Sequence, residues 1–228
     1  DLHSFPTRRS SDLEPVTTVA NLGDDNDAIF ALRDGVERGD VPGPRIVAAG
    51  HVLSPHGGDG DIHGYRPDVA ATIRRSNLCS GADDCSRLVR NHIGRGADII
   101  KIVATGSVLA DVAQGVGLQF TDVELRAIVE TAHRMGRRVT AHAHSTEGVN
   151  AALRAGVDSI EHGTYLDTES IKLFKANGAY LIPTLLAGAT VTAWANDPQG
   201  FLSRAAKAKA LEVGPKMLDP VLDRKSVV

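Results

Sequence analysis

The sequence predicts an α/β fold built on a parallel sheet of the barrel type. Three observations predict it. Strand-like and helix-like segments alternate along the chain with short connections, the pattern of repeated βα units. The strand-like segments are near-continuous apolar runs, as in ADIIKIVATG (Ala97–Gly106), which suits strands buried on both faces. The polar exceptions, Lys101, His142, His144 and His162, fall in the C-terminal halves of these strands or just beyond, where a barrel keeps its active site. A glycine-rich phosphate turn after the first strand is missing, which disfavours a doubly wound dinucleotide fold.

The elements follow in order. Pro15–Leu22 is short and β-branched, a buried strand. Asp27–Arg38 carries Ile29, Leu32 and Val36 at helical spacing and stops at Gly39. Pro44–Gly50 is the next strand, followed by the Gly/His-rich loop Ser54–Tyr65. Asp83–Arg95 is a helix with Leu88, Val89 and Ile93 inward, and Ala97–Gly106 a strand. Thr121–Met135 opens with Thr-Asp-Val-Glu, a capping box in which Thr121 caps and Glu124 reciprocates. Arg137–His144 is a strand, Thr146–Ala155 a helix ended by Gly156, and Asp158–Gly163 a strand. Asp167–Asn177 is a helix ended by Gly178, Tyr180–Ala187 a strand, and Gly200–Val213 the last helix. Six βα units result.

Bulk composition narrows the function classes. The 228 residues are 42% hydrophobic and 23% charged with net charge −3, which suits a globular α/β domain without a basic face for nucleic acid or a membrane surface. Aromatics at 4% are too few for base-stacking platforms. No run of 18 apolar residues is present to span a bilayer. Cys79 and Cys85 sit six apart in a polar segment; a mutual disulfide and two free thiols both stay open.

The two ends read differently from the rest. Asp1–Leu13 has neither an apolar run nor a helical or strand period. The oligonucleotide ACACGACGCTCTTCCGATCT, a short-read sequencing adapter, can encode Thr7–Leu13. Its reverse complement, read one frame over, encodes Asp223–Val228. Residues 1–13 and 223–228 are therefore expected to be non-native tails with few contacts, flanking a partial barrel domain at 14–222.

Lys101 is the most unusual residue. Period-2 alternation in Ile-Ile-Lys-Ile-Val puts it on one face with Ile99 and Val103, inside the sheet. Desolvating an ammonium costs several kcal/mol, so something must compensate it. A buried ion pair, a Schiff-base lysine, and a lysine carboxylated by carbon dioxide would each do so. The histidines select the third. His142 and His144 share one face at a strand end, and His162 ends the next strand. Neutral imidazoles on neighbouring strand ends converge on one point, as metal ligands do. His51, His63, His92 and His133 are read as packing or solvated residues, and Cys79 and Cys85 lack metal spacing.

The segments GPRIVAAG, GADIIKIVATG, FTDVELRAIVETAHRMGRRVTAHAHS, GVDSIEHGT and IPTLL together resemble the metal-dependent amidohydrolase superfamily. The branch they resemble is the imidazolonepropionase-like and Xaa-Pro dipeptidase (prolidase) group. The resemblance covers nearly all of Glu14–Leu186. It implies a (β/α)8 TIM-type barrel, truncated here, with strands 2–7 present and strands 1 and 8 missing. It implies two zinc ions, bridged by Lys101 as a carbon dioxide-derived carboxylate and bound by His142 and His162. His144 would face the substrate, with His56 of the Gly/His loop a second pocket residue. The family's His-x-His pair on strand 1 and proton-shuttling aspartate on strand 8 find no match. The implied reaction is hydrolysis of a C–N bond in a small amide or dipeptide through a metal-bridging hydroxide, and the chain as written is expected to be inactive. A Schiff-base lyase using Lys101 and a non-catalytic ligand-binding barrel are the alternatives; borohydride trapping and retained metal, respectively, discriminate them.

Overall fold

The computed structural model describes residues 16–24, 27–73, 76–110 and 115–217. Both predicted tails lie outside these residues. Among them the chain runs β1 (Thr18–Asn21), α1 (Ala28–Glu37), β2 (Arg45–Ala48), β3 (Ser54–Pro55), α2 (Pro67–Ile73), β4 (Leu78–Cys79), α3 (Ala82–Gly94) and β5 (Ile99–Val103). Then follow α4 (Asp122–Arg134), β6 (Arg138–Ala143), α5 (Thr146–Ala155), β7 (Ser159–His162), α6 (Thr168–Asn177), β8 (Tyr180–Ile182), α7 (Leu185–Asn196) and α8 (Arg204–Lys216).

Every strand pairing is parallel. β1 pairs with β2, β3 with β4, and β5, β6, β7 and β8 pair in that order. Leu53 joins β2's continuation to β5: its N–H donates to the Lys101 carbonyl and its carbonyl accepts from Val103 N–H, at 2.8 and 3.0 Å. Asp98 N–H, just before β5, also donates to the Ala48 carbonyl of β2 at 2.8 Å. Thus β1, β2, β5, β6, β7 and β8 follow one another in chain order, with β3 and β4 a separate two-stranded sheet. That singly wound order belongs to barrels, because a doubly wound sheet reverses direction at a switch point. Among the described residues β1 and β8 each pair on one side only, so no closed barrel is seen.

Each element has a local cause. At α4 the capping box is present: Thr121 accepts from Glu124 N–H, and Glu124 accepts from Thr121 N–H. The Glu124 carboxylate also accepts from Gly81 N–H at 2.7 Å, so one residue fastens the starts of α3 and α4. Ser145 caps α5, and Asp167 caps α6. Gly156 and Gly178 end those helices with positive φ, a conformation glycine adopts without a Cβ clash. Ile100, Ile102, Val139, Ala141 and Ile160 on one face of the sheet join Val89, Leu125, Ile128, Val149 and Leu153 of the helices in one core. Cys79 and Cys85 form a disulfide that ties β4 to the first turn of α3.

The C-terminal part departs from expectation. The strand predicted to run to Ala187 ends at Ile182, and Leu185 begins helix α7. Pro183 offers no N–H to continue a ladder, and Thr184 turns the chain at φ 50. The segment after it is rich in Leu and Ala, which favour helix. A short apolar run carries no period that separates strand from helix.

His51 and His92 are both buried and meet edge to face, ring centroids 6.2 Å apart, between the β2 continuation and α3. Burial pushes His92 down to about 4, helped by His51 and Arg95 and opposed by its bond to the Ser76 carbonyl and by Asp27. Its folded pKa therefore lies below the unfolded value near 6.5. The unfolded chain takes up this proton first, so the stabilisation is complete above about pH 6.5 and is lost as pH falls toward 4. From pH 7 to pH 5 His92 alone is expected to withdraw about 2 kcal/mol. Urea unfolding of His92→Gln at both pH values should show a pH dependence smaller by that amount. Identical pH dependence in variant and parent would contradict the buried, neutral ring.

Candidate metal centre

Three strand ends build the site. On β5, Lys101 lies in register with Thr140 of β6, and on β6 His142 lies in register with Glu161 of β7. These side chains share the face opposite the helix-covered core; Thr140 donates to Glu161 Oε1 at 2.8 Å across that face. His144 lies two residues past His142 and keeps the same side. By the same alternation His162 should point with Ile160 toward the helices. It does not. Its φ is 71, left-handed, and its ring centroid lies 4.7 Å from that of His142. The single backbone inversion at His162 turns an outward position inward.

The three rings form a compact triad. His144 and His162 stack at 4.8 Å with 13° between planes, and His142 stands edge-on to His144 at 4.7 Å. One ligand nitrogen from each lies within 4.8 Å of the others. Burial holds all three neutral. It pushes His142 well below the usual histidine range, reinforced by His144, His162 and Lys101. His144 falls to about 3 through burial and His162, and His162 to about 4 through burial and Lys101. Lys101 is itself pushed down to about 8 by burial, against the pull of the Glu161 carboxylate. Neutral imidazoles with available lone pairs are what a metal ion binds.

Hydrogen-bond partners show which lone pairs are available. His142 Nε2 lies 3.3 Å from the Gly106 carbonyl. A carbonyl only accepts, so Nε2 carries the proton and Nδ1 keeps its lone pair. His162 Nδ1 lies 2.6 Å from Thr184 Oγ1, leaving Nε2 clear. His144 Nδ1 lies 2.8 Å from Thr164 Oγ1, and its backbone N–H donates to Thr105 Oγ1 at 3.0 Å. One nitrogen of each ring is tied to protein while the other is open, the arrangement metal-binding histidines use. The donor set therefore fits a divalent metal.

The structure brings His142, His144 and His162 together, with Lys101 near enough to shift the first and last. His56 is exposed on the loop after β3 and bonds Ser80 Oγ at 3.0 Å; neither a hydrogen bond nor a ring contact joins it to the triad. Sequence reasoning missed Glu161, Thr164, Thr184 and Gly106. Glu161 alone carried a signal: a charged residue mid-strand, in phase with the inward face.

A family model described as the amidohydrolase family matches residues 13–212. Among sequence relatives, ochratoxinase of Aspergillus niger is 35% identical over 167 residues, which are 68% of this chain and 34% of that protein. The structure of a Xaa-Pro dipeptidase with methionine bound in its active site superposes with a TM-score of 0.83 at 37% identity, covering 90% of this chain and 50% of that one. A prolidase complexed with N-methylphosphonate-L-proline gives a TM-score of 0.76 at 30% identity, covering 90% and 51%. The chain spans about half the length of these solved structures, and about a third of the ochratoxinase.

Proposed function

The chain belongs to the amidohydrolase family, and from that premise we propose that it carries part of the active site of a metal-dependent hydrolase cleaving C–N bonds in small amides or dipeptides. One observation carries the reading. Three neutral histidines, each with one nitrogen tied to protein and one free, meet on the sheet face that Lys101 shares. His142 would hold a metal through Nδ1 and His162 through Nε2. Lys101, carboxylated by carbon dioxide, would bridge two ions, most simply zinc. A bound metal supplies Lewis-acid polarisation of a carbonyl and water acidified to near neutrality.

The chain's own residues supply orientation. Gly106 and Thr184 fix the rings of His142 and His162. His144, buried and held by Thr105 and Thr164, would present Nε2 to the substrate. His56 would enter only if the loop carrying it closes on a bound molecule. The dipeptidase and prolidase neighbours support a dipeptide substrate, including one with C-terminal proline. The His-x-His pair and the aspartate that the family places on other strands would come from sequence beyond residues 14–222, so that segment by itself is expected to be inactive.

The test is an assay of a version extended by its genomic flanks, beside the chain as it stands, with zinc, bicarbonate and a panel of dipeptides. Turnover is expected only in the extended protein, abolished by chelation and restored by zinc. Activity that survives exhaustive metal removal but is trapped by borohydride would replace this reading with Schiff-base chemistry at Lys101.

A further inference from the structure

Thr184 is spent in an unusual way. It occupies the N-cap position of α7, where a threonine hydroxyl ordinarily accepts from a helix N–H, yet it makes no such bond. It also holds a left-handed backbone, φ 50 and ψ 46, which a β-branched residue rarely adopts. Such strain costs on the order of 1–3 kcal/mol and persists where surrounding structure holds it. Its partner His162 is left-handed too, φ 71. Among the described residues these two and Asp27 are the non-glycine positions with positive φ.

The hydroxyl has one proton, and the Pro183 carbonyl is an acceptor placed to take it. Thr184 Oγ1 donates to the Pro183 carbonyl at 2.8 Å. Having given its proton there, the oxygen can meet His162 Nδ1, 2.6 Å away, only as an acceptor. His162 must then carry its proton on Nδ1 and keep its lone pair on Nε2. Thr164, by contrast, shows no second partner that commits its proton, so its bond to His144 leaves that tautomer open.

We infer that Thr184 is a positioning residue for the metal centre: through the Pro183 carbonyl it locks the His162 ring in orientation and in the Nδ1-protonated tautomer, with Nε2 ready to ligate. This rests on the metal-site reading above, and it adds a pairing from the following strand end that the ligand residues do not reveal. Deleting the hydroxyl frees the ring to rotate and to exchange tautomers. An outer partner of a metal-ligating histidine typically affects affinity by about 10–100-fold.

The experiment compares Thr184→Val, which keeps the shape and loses the hydroxyl, with Thr184→Ser, which keeps the hydroxyl. The first readout is nitrogen-15 NMR of the histidine side chains in metal-free protein at pH 7.5. His162 should be a single Nδ1-protonated tautomer in the parent and in Thr184→Ser, and a tautomer mixture in Thr184→Val. The second is Co2+ and Zn2+ affinity by chelator competition, expected to fall about 10–100-fold in Thr184→Val and to stay near the parent in Thr184→Ser. An unchanged His162 tautomer and unchanged affinity in Thr184→Val would overturn the inference. So would equal losses in both variants, which would assign the effect to the backbone turn. Because the NMR readout needs no metal, a version extended by its genomic flanks that binds none would sink the hydrolase reading and leave the tautomer lock separately judged.

Discussion

Replacing Lys101 with methionine is expected to lower kcat/KM of the metal-loaded, extended enzyme by on the order of 10³-fold or more. Metal-ion polarisation and water activation are worth several kcal/mol in the transition state, and each 1.4 kcal/mol is tenfold in rate. Methionine matches the volume of the lysine stem, so packing is nearly conserved. Relieving a buried ammonium should leave stability unchanged or raised, although Glu161, which faces Lys101 and bonds Thr140, then loses its cationic neighbour. Activity and stability should thus move apart, which a merely structural lysine would not allow. The smaller Lys101→Ala leaves a cavity where a short carboxylic acid can stand in for the carboxylated side chain. Millimolar propionate is expected to restore part of its activity and none of that of Lys101→Met. Full activity in Lys101→Met would remove Lys101 from the chemistry.

The second large effect is on stability and falls on Gly106. A Cβ there would lie 1.8 Å from the Gly115 carbonyl oxygen and 3.1 Å from Gln119 Nε2. The first neighbour is backbone and cannot rotate away. It is fixed by the hairpin in which Gly106 N–H donates to Gly117 O and Gln119 N–H to Ala104 O, at 3.0 and 2.9 Å. Gly106→Ala must open that hairpin, at an expected cost of about 3 kcal/mol, the upper end of overpacking. The Gly106 carbonyl, which orients His142, would move with it, so metal affinity should fall as well. Gly94→Ala is the control: nothing lies within 4 Å of a Cβ there, and alanine in a helix is neutral or mildly stabilising. Urea unfolding of the two variants decides it, and equal midpoints would show that the close approach at Gly106 is absent.

Much of the architecture was legible because it is written in local chemistry. The Thr121–Glu124 capping box and the stops at Gly156 and Gly178 are short-range devices, and each was readable from a few residues. The alternation of β5 and β6 was equally readable, since residues two apart on a strand face one side. That grouped Lys101 with Ile99 and Val103 on one face of β5, and His142 with His144 on one face of β6. Where the signal was composition without period, it failed: the apolar segment after Pro183 reads as strand, yet it turns at Thr184 and continues as α7. The Cys79–Cys85 pairing was undecidable for a related reason. Spacing permits a bridge, while the approach of β4 to the start of α3 makes it.

By itself, then, the sequence determined the order of βα units, the helix caps, and which residues share a strand face with Lys101 and with His142. It also placed a third histidine at the right strand end, but strand parity points that residue at the helices. Only the tertiary structure decided that His162 faces the site, by holding its backbone at φ 71 against the ordinary preference of an L-residue. Strand alternation does not encode that inversion; Gly163 N–H donates to both the Glu161 carbonyl and the Ala143 carbonyl of the neighbouring strand at 3.0 Å, and the turned ring meets Thr184. Parity is a property of one strand, whereas the turn at His162 depends on what two neighbouring strand ends do to each other.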